Sequence, residues 1–103
     1  MAVIKVQRDH QLNLETVRET ADDLAAQLRK RFGGSYRWQG DELRYQRSGV
    51  DACIICSSAD IIVDVTLKGL MMSALRGTIE AEIKSGLDKY LAQAALPIHF
   101  GGR

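Results

Sequence analysis

The residues with the clearest capacity for chemistry are two cysteines in Cys53-Ile54-Ile55-Cys56, which have the C-x-x-C spacing of redox and zinc-binding motifs. The chain contains 2 cysteines and 2 histidines in all. A redox pair needs its first cysteine at a helix N-terminus, where the helix dipole lowers the pKa of the thiol. A structural zinc site needs further ligands. No second C-x-x-C is present, and His10 and His99 lie near opposite ends of the sequence.

The surrounding residues place both cysteines in a β-strand. Apolar and polar side chains alternate through VDACIICS at positions 50–57, which predicts a strand. Residues three apart in a strand point to opposite faces and stand about 10 Å apart, whereas a disulfide needs Cα atoms within about 7 Å. We therefore predict two unlinked structural cysteines, Cys56 in the core and Cys53 on the other face, with no metal and no cofactor.

Other combinations of polar residues give no stronger indication of catalysis. Ser48 with His10 and Asp51 contains the residue types of a hydrolase triad, but the G-x-S-x-G elbow is absent and Ser48-Gly49 is typical of a turn. The acidic pairs at positions 22–23 and 80/82 fit the solvated faces of amphipathic helices. No set of nucleophile and base emerges, so we predict that the protein is not an enzyme.

Charge gives no indication of a nucleic-acid partner. The 14 basic and 13 acidic side chains leave a net charge of +1, which provides no electrostatic footprint for a polyanion. Arginines and aromatic residues are interleaved over positions 36–47, as in surfaces that bind single strands. Strand alternation, however, places the aromatic residues and most of the arginines on opposite faces, with the aromatic residues in the core.

The elements that position these residues follow from the hydrophobic periodicity. Residues 2–7 alternate as a first strand, and a helix follows, with Asn13 as its N-cap and Gly33-Gly34 at its end. Thr16 with Glu19 is a rival capping box one turn later. Four short strands separated by turns come next. A long helix from about Met72 then runs until Pro97, and its two glycines allow a bend or a close approach to the sheet.

The order β-α-β-β-β-β-α predicts an α+β domain with a curled antiparallel sheet and both helices on one face. The first strand is expected beside the last. This outline is that of a reduced helix-grip domain, in which a curled sheet wraps a long C-terminal helix. At 103 residues, we predict a single domain over residues 1–96 and a C-terminal tail at 97–103.

Two candidate binding regions follow from this arrangement. The sheet face away from the helices should be polar, yet it carries Val3, Cys53, Ile55 and Ile62. Such a patch would serve a partner, and sheet-to-sheet homodimerisation is the favoured interpretation over a hydrophobic ligand or adsorption to an apolar surface. A cavity between the sheet and the last helix is the second candidate. It would be lined by Tyr45, Met71, Met72 and Leu75, and would hold a small hydrophobic molecule such as an acyl chain.

Composition favours a cytoplasmic protein with reduced thiols. The longest apolar runs, at positions 52–56 and 61–63, fall far short of the ~20 residues that cross a bilayer. The N-terminus has no basic region followed by a long apolar stretch, so no signal peptide is expected.

Three segments together resemble a known family. They are VQRDHQLNLETVRETADDLAAQL, YRWQGDELRYQRSGVDACI and VDVTLKGLMMSALRGTIEAEIKSGLDKYL. They are similar to the polyhydroxyalkanoic acid system proteins, small bacterial proteins associated with polyhydroxyalkanoate storage-granule gene regions. The resemblance runs from about Val3 to Leu91. Its most specific parts are Arg8-x-His10-x-Leu12, Arg47-Ser48-Gly49-Val50 and Ile79-Glu80-x-Glu82-Ile83 followed by Leu87-Asp88; the cysteine pair is not part of the pattern.

The resemblance implies a cytoplasmic, granule-associated bacterial protein of polyester storage, and it implies no reaction and no catalytic residues. Two hypotheses follow from it and from the two candidate regions. The first is a non-catalytic accessory that binds the granule surface or a granule protein through apolar surface. The second is a module that binds an acyl chain between the sheet and the last helix.

Overall fold

The computed structural model describes residues 2–95 and contains five strands and three helices. In chain order the elements are β1 (Ala2–Asp9), α1 (Leu14–Phe32), β2 (Ser35–Gln39), β3 (Glu42–Arg47), β4 (Val50–Cys56), β5 (Asp60–Leu67), α2 (Leu70–Ala74) and α3 (Arg76–Ala95). The tail predicted at residues 97–103 lies outside the described residues, so the predicted domain limits stay a prediction.

The five strands form one open antiparallel sheet in the order β1-β5-β4-β3-β2. Strands β2 to β5 are a meander, and β1 pairs with β5 along its whole length, from Ala2 with Leu67 to Asp9 with Asp60. The predicted α+β class, the antiparallel sheet and the place of the first strand are therefore confirmed. Alternate residues of β1, β3, β4 and β5 are buried, and the helices cover this face.

Helix α1 begins and ends where the sequence predicts. The Asn13 Oδ1 accepts a hydrogen bond of 2.8 Å from the Thr16 backbone N–H, which satisfies one donor of the first turn. At the other end Gly33 has φ +79°, a conformation that glycine adopts without steric cost, and its N–H donates to the Arg29 carbonyl. One stripe of the helix is buried: Val17, Thr20, Ala21, Leu24, Ala25 and Leu28.

The second helical segment is broken, whereas the sequence predicts one continuous helix. Leu75, with φ −91° and ψ 7°, separates α2 from α3, and its N–H donates to the Met72 carbonyl. Two packing demands explain the break. Met72 packs at the β3–β4 turn, so closely that a Cβ on Gly49 would lie 2.8 Å from the Met72 Cγ. The stripe of Ile79, Ile83 and Leu87 on α3 is instead buried in the central core.

The two glycines of α3 have different surroundings. Gly77 lies two residues after the break at Leu75, and a Cβ there would meet nothing within 4 Å. Gly86 does allow a close approach, but the neighbour is α1 and not the sheet. A Cβ on Gly86 would lie 3.0 Å from the Leu24 Cδ1, so the glycine sets the spacing between the two long helices.

Candidate functional site

The sheet face away from the helices, called the outer face below, brings together three of the four residues predicted as a partner surface. Ile55 and Ile62 are direct cross-strand partners on β4 and β5, and Cys53 lies two residues before Ile55 on the same face. Val3 is partnered with Thr66 instead. Since Thr66 is four residues from Ile62 along β5, Val3 stands roughly 13 Å away along the strand direction.

The rest of the outer face is polar. The row that contains Cys53 runs across all five strands as Lys5, Asp64, Cys53, Arg44 and Arg37. Cys53, Ile55 and Ile62 are themselves half-buried by these neighbours. The apolar part of the outer face is therefore a small island inside a charged surface.

Both cysteines are free thiols with little tendency to ionise. Burial raises the pKa of the Cys56 thiol to about 11. Burial also raises the pKa of Cys53, and so do its hydrogen bond to Glu42 and the charge of that carboxylate. Because the thiolate is the reactive form of cysteine, the structure supports a packing role for both side chains.

The residues of the hypothetical triad do not meet. The His10 Nε2 lies 2.9 Å from the Ser57 carbonyl, and its Nδ1 accepts a hydrogen bond from the Leu12 N–H. His10 thus ties the β1–α1 connection to the β4–β5 turn. The Asp51 carboxylate is paired with Lys68 at 2.7 Å. Within residues 2–95, no group of three or more His, Cys, Asp or Glu side chains could hold a metal ion.

The four residues predicted to line a ligand cavity are dispersed. Tyr45 is buried, and its hydroxyl donates to the carbonyls of Gly33 at 2.5 Å and Leu28 at 3.3 Å. Met72 is half-buried, whereas Met71 is 82% exposed and Leu75 is 40% exposed. The interior space beside Tyr45 is lined by Leu28, Phe32, Tyr45, Val50, Ala52, Val65, Ile79 and Ile83 and measures about 10 Å³. A space of this size holds at most one water molecule.

The most exposed large apolar side chains lie around α2. Leu70 is 90% exposed, Met71 is 82%, Val3 is 54% and Leu75 is 40%. The Arg76 Nε lies 3.5 Å from the Val3 carbonyl, which places the start of α3 beside β1. We call these four residues (Val3, Leu70, Met71 and Leu75) the α2 surface.

The sequence carries a signal for the α2 surface that periodicity alone does not reveal. Leu70, Met71 and Met72 are three consecutive large apolar residues after a glycine. Successive helical residues are about 100° apart around the axis, so one packed face cannot bury all three. Here Met72 faces the core, and the other two side chains remain in solvent.

Polar contacts fasten the two long helices to their neighbours. On one side of α1, Arg18 stacks over the Trp38 ring at 4.3 Å and pairs with Asp41 at 2.7 Å. On the other side, Gln27 donates to Glu82 on α3 and accepts from the Tyr90 hydroxyl at 2.6 Å. Each of these polar side chains already has a polar or aromatic partner within the fold. We therefore interpret these contacts as ones that stabilise the packing of the helices.

The comparisons with known proteins give one match. A family model described as "Putative polyhydroxyalkanoic acid system protein" matches residues 4–91. No curated protein matches, and no solved structure matches. Between residues 2 and 95, no helix combines the length and the apolar character needed to span a bilayer.

Proposed function

Because the chain belongs to the polyhydroxyalkanoic acid system family, we propose that it is a non-catalytic accessory protein that binds polyhydroxyalkanoate granules through the α2 surface. The exposure of Leu70 and Met71 is the observation that carries this proposal. Both side chains stand in solvent at the first turn of α2. Large apolar side chains clustered in this way are typical of interaction surfaces.

The chemistry of a polyester matches this surface. A polyester is apolar along its carbon chains, and its ester groups offer hydrogen-bond acceptors only. Lys68 and Arg76 flank α2, and each carries several donors, of which the ion pairs with Asp51 and Glu80 engage only part. Burial of one large aliphatic side chain contributes about 1.5–3 kcal/mol. Two such side chains, with further contacts from Val3 and Leu75, would support reversible attachment.

The state of the polar groups supports a non-catalytic role. The thiols of Cys53 and Cys56 have raised pKa values and stay protonated at neutral pH. Both ring nitrogens of His10 lie within hydrogen-bond distance of backbone groups. The residues with the greatest capacity for chemistry are thus engaged in holding the fold.

The test is co-sedimentation with polyhydroxyalkanoate particles. The variant Leu70→Gln/Met71→Gln should lose at least tenfold in affinity, because it removes the exposed apolar area. Its matched control is Ile55→Thr/Ile62→Thr, which changes the same number of apolar residues on the outer face and should retain the affinity of a single wild-type chain for the particles. Equal binding of all three proteins would refute attachment through α2, and absence of the wild type from the particles would refute granule binding.

We retain homodimerisation through the outer face as a separate prediction. Ile55, Ile62 and Cys53 form its apolar centre, and such an interface would also cover part of the charged row. Light scattering of the purified protein measures the oligomeric state directly. If the wild type is a dimer, Ile55→Thr/Ile62→Thr should be a monomer. A wild type that stays monomeric at high micromolar concentration would exclude homodimerisation through the outer face.

Location in the cell is also part of the proposal. We infer a cytoplasmic protein that moves to granules when polymer accumulates. Fractionation of cells with and without polymer measures this directly. An unchanged soluble fraction in polymer-filled cells would contradict granule association.

A further inference from the structure

The β2–β3 hairpin carries an unusual group of side chains on the outer face. Arg37 and Arg44 are direct cross-strand partners, and the next pair on the same face of the hairpin is Ser35 with Gln46. Alternation turns these four away from the core, where Tyr36, Leu43 and Tyr45 pack. The four side chains border a depression of about 320 Å³, which Tyr36 also lines.

This group has more positive charge than its surroundings neutralise. Arg44 pairs with Glu42 at 3.2 Å, and the same carboxylate oxygen accepts a hydrogen bond from the thiol of Cys53. For Arg37, the described part of the chain supplies no carboxylate within ion-pair distance. Like charges directly opposite in a sheet are destabilising. The hairpin therefore carries an electrostatic cost that the pairing of Arg44 with Glu42 offsets only in part.

We propose that Arg37, Arg44, Ser35 and Gln46 form a binding site for an oxyanion, a carboxylate or a phosphate group. Each of the four side chains can donate hydrogen bonds, and guanidinium groups match the geometry of such anions in a bidentate manner. The side chains of directly opposed residues start about 5 Å apart, so two arginines can reach one anion. Its negative charge would remove the repulsion between them.

The site is independent of the proposed attachment through α2. None of its four residues belongs to the α2 surface, so either proposal can fail alone. The site also differs from the acidic groove along α1, which is lined by Glu15, Arg18, Glu19, Asp22, Asp23 and Trp38. That groove would repel an anion, whereas the hairpin would attract one.

The test is an NMR titration of the ¹⁵N-labelled full chain with inorganic phosphate and, separately, with acetate. Sodium chloride keeps the ionic strength constant. We expect saturable shifts confined to β2 and β3, and at least a tenfold weaker affinity in Arg37→Gln/Arg44→Gln. The control is Arg29→Gln/Lys30→Gln, which also removes two positive charges, from exposed positions on α1, and should titrate like the wild type. Tighter binding of phosphate than of acetate would indicate that the site prefers a phosphate group. Equal affinities for the two anions would indicate that the site accepts either kind of oxyanion.

Thermal denaturation provides a second readout that does not depend on affinity. Without added anion, Arg37→Gln should melt at a higher temperature than the wild type, because it relieves the repulsion. With phosphate this difference should shrink or reverse, since only the wild type gains a ligand. The proposal is overturned if neither anion gives saturable shifts, if the double variant titrates like the wild type, or if Arg37→Gln melts no higher without anion.

Discussion

The hydroxyl of Tyr45 links the middle of the sheet to the end of α1, and its removal tests how much this link contributes. In Tyr45→Phe the carbonyls of Gly33 and Leu28 lose their common donor. A buried acceptor left without any partner would cost about 1–3 kcal/mol. Gly33 is exposed, however, so water can reach its carbonyl. Leu28 lies four residues before Phe32, so its carbonyl keeps its partner within the helix. We therefore expect a loss of about 1 kcal/mol in the free energy of unfolding.

Urea denaturation at pH 7 measures this loss, and Tyr36→Phe is the matched control. Tyr36 is the cross-strand partner of Tyr45, but no hydrogen bond of its hydroxyl is found within residues 2–95. Its loss of the hydroxyl should change the stability by less than about 0.5 kcal/mol. Equal effects of the two substitutions would show that the Tyr45 hydroxyl does not hold the helix end.

The contribution of the Tyr45 hydroxyl to stability also depends on pH. Burial raises the pKa of Tyr45, against the opposing charge of Arg47. The unfolded chain ionises this phenol near pH 10, while the folded chain keeps its proton. The unfolded state then binds fewer protons, so this contribution to stability is present below about pH 10 and is lost as pH rises above it. The difference between the wild type and Tyr45→Phe should therefore shrink in alkaline solution. A difference that stays constant or grows would contradict the assigned burial.

Four further predictions concern separate parts of the fold. Asn13→Ala should lower stability in urea by about 1 kcal/mol, while Asn13→Ser should retain most of it; equal losses would show that the cap is not needed. Gly77→Ala should raise the melting temperature, because nothing lies within 4 Å of the added Cβ. Gly86→Val should lower it by the equivalent of about 1–3 kcal/mol, because its Cβ starts 3.0 Å from Leu24; a neutral result would mean that the helices can separate freely. The pKa of Cys56, raised to about 11 by burial, makes wild-type stability fall as pH rises from about 9 to 11. Cys56→Val should remove this component, and an unchanged pH profile in the variant would exclude it.

Local patterns predicted most of the fold. The period of two in β3 to β5, the cap at Asn13 and the glycine stop after Phe32 are all encoded within a few residues, and the structure has each of them. Antiparallel pairing of consecutive strands then follows from short turns. These features need no knowledge of distant parts of the chain.

The features that the sequence patterns do not predict depend on contacts between segments that are far apart in the chain. The position of Val3 depends on the register between β1 and β5, which no local pattern specifies. The break at Leu75 depends on two packing directions, one toward the β3–β4 turn and one toward the core. The pairing of Arg37 with Arg44 likewise becomes clear only once the hairpin register is known.

The place of β1 at the sheet edge also has a consequence for the order of folding. Among the described residues 2–95, its sole neighbour in the sheet is β5, and Ala2 reaches its partner Leu67 only across more than half of the chain. At a synthesis rate of about 5–20 residues per second, β1 waits several seconds for β5 to be made. The hairpins of β2 to β5 close over short loops, whereas β1 must close a long one at a greater entropic cost. Of the five strands in this sheet, β1 is thus made first and joins last.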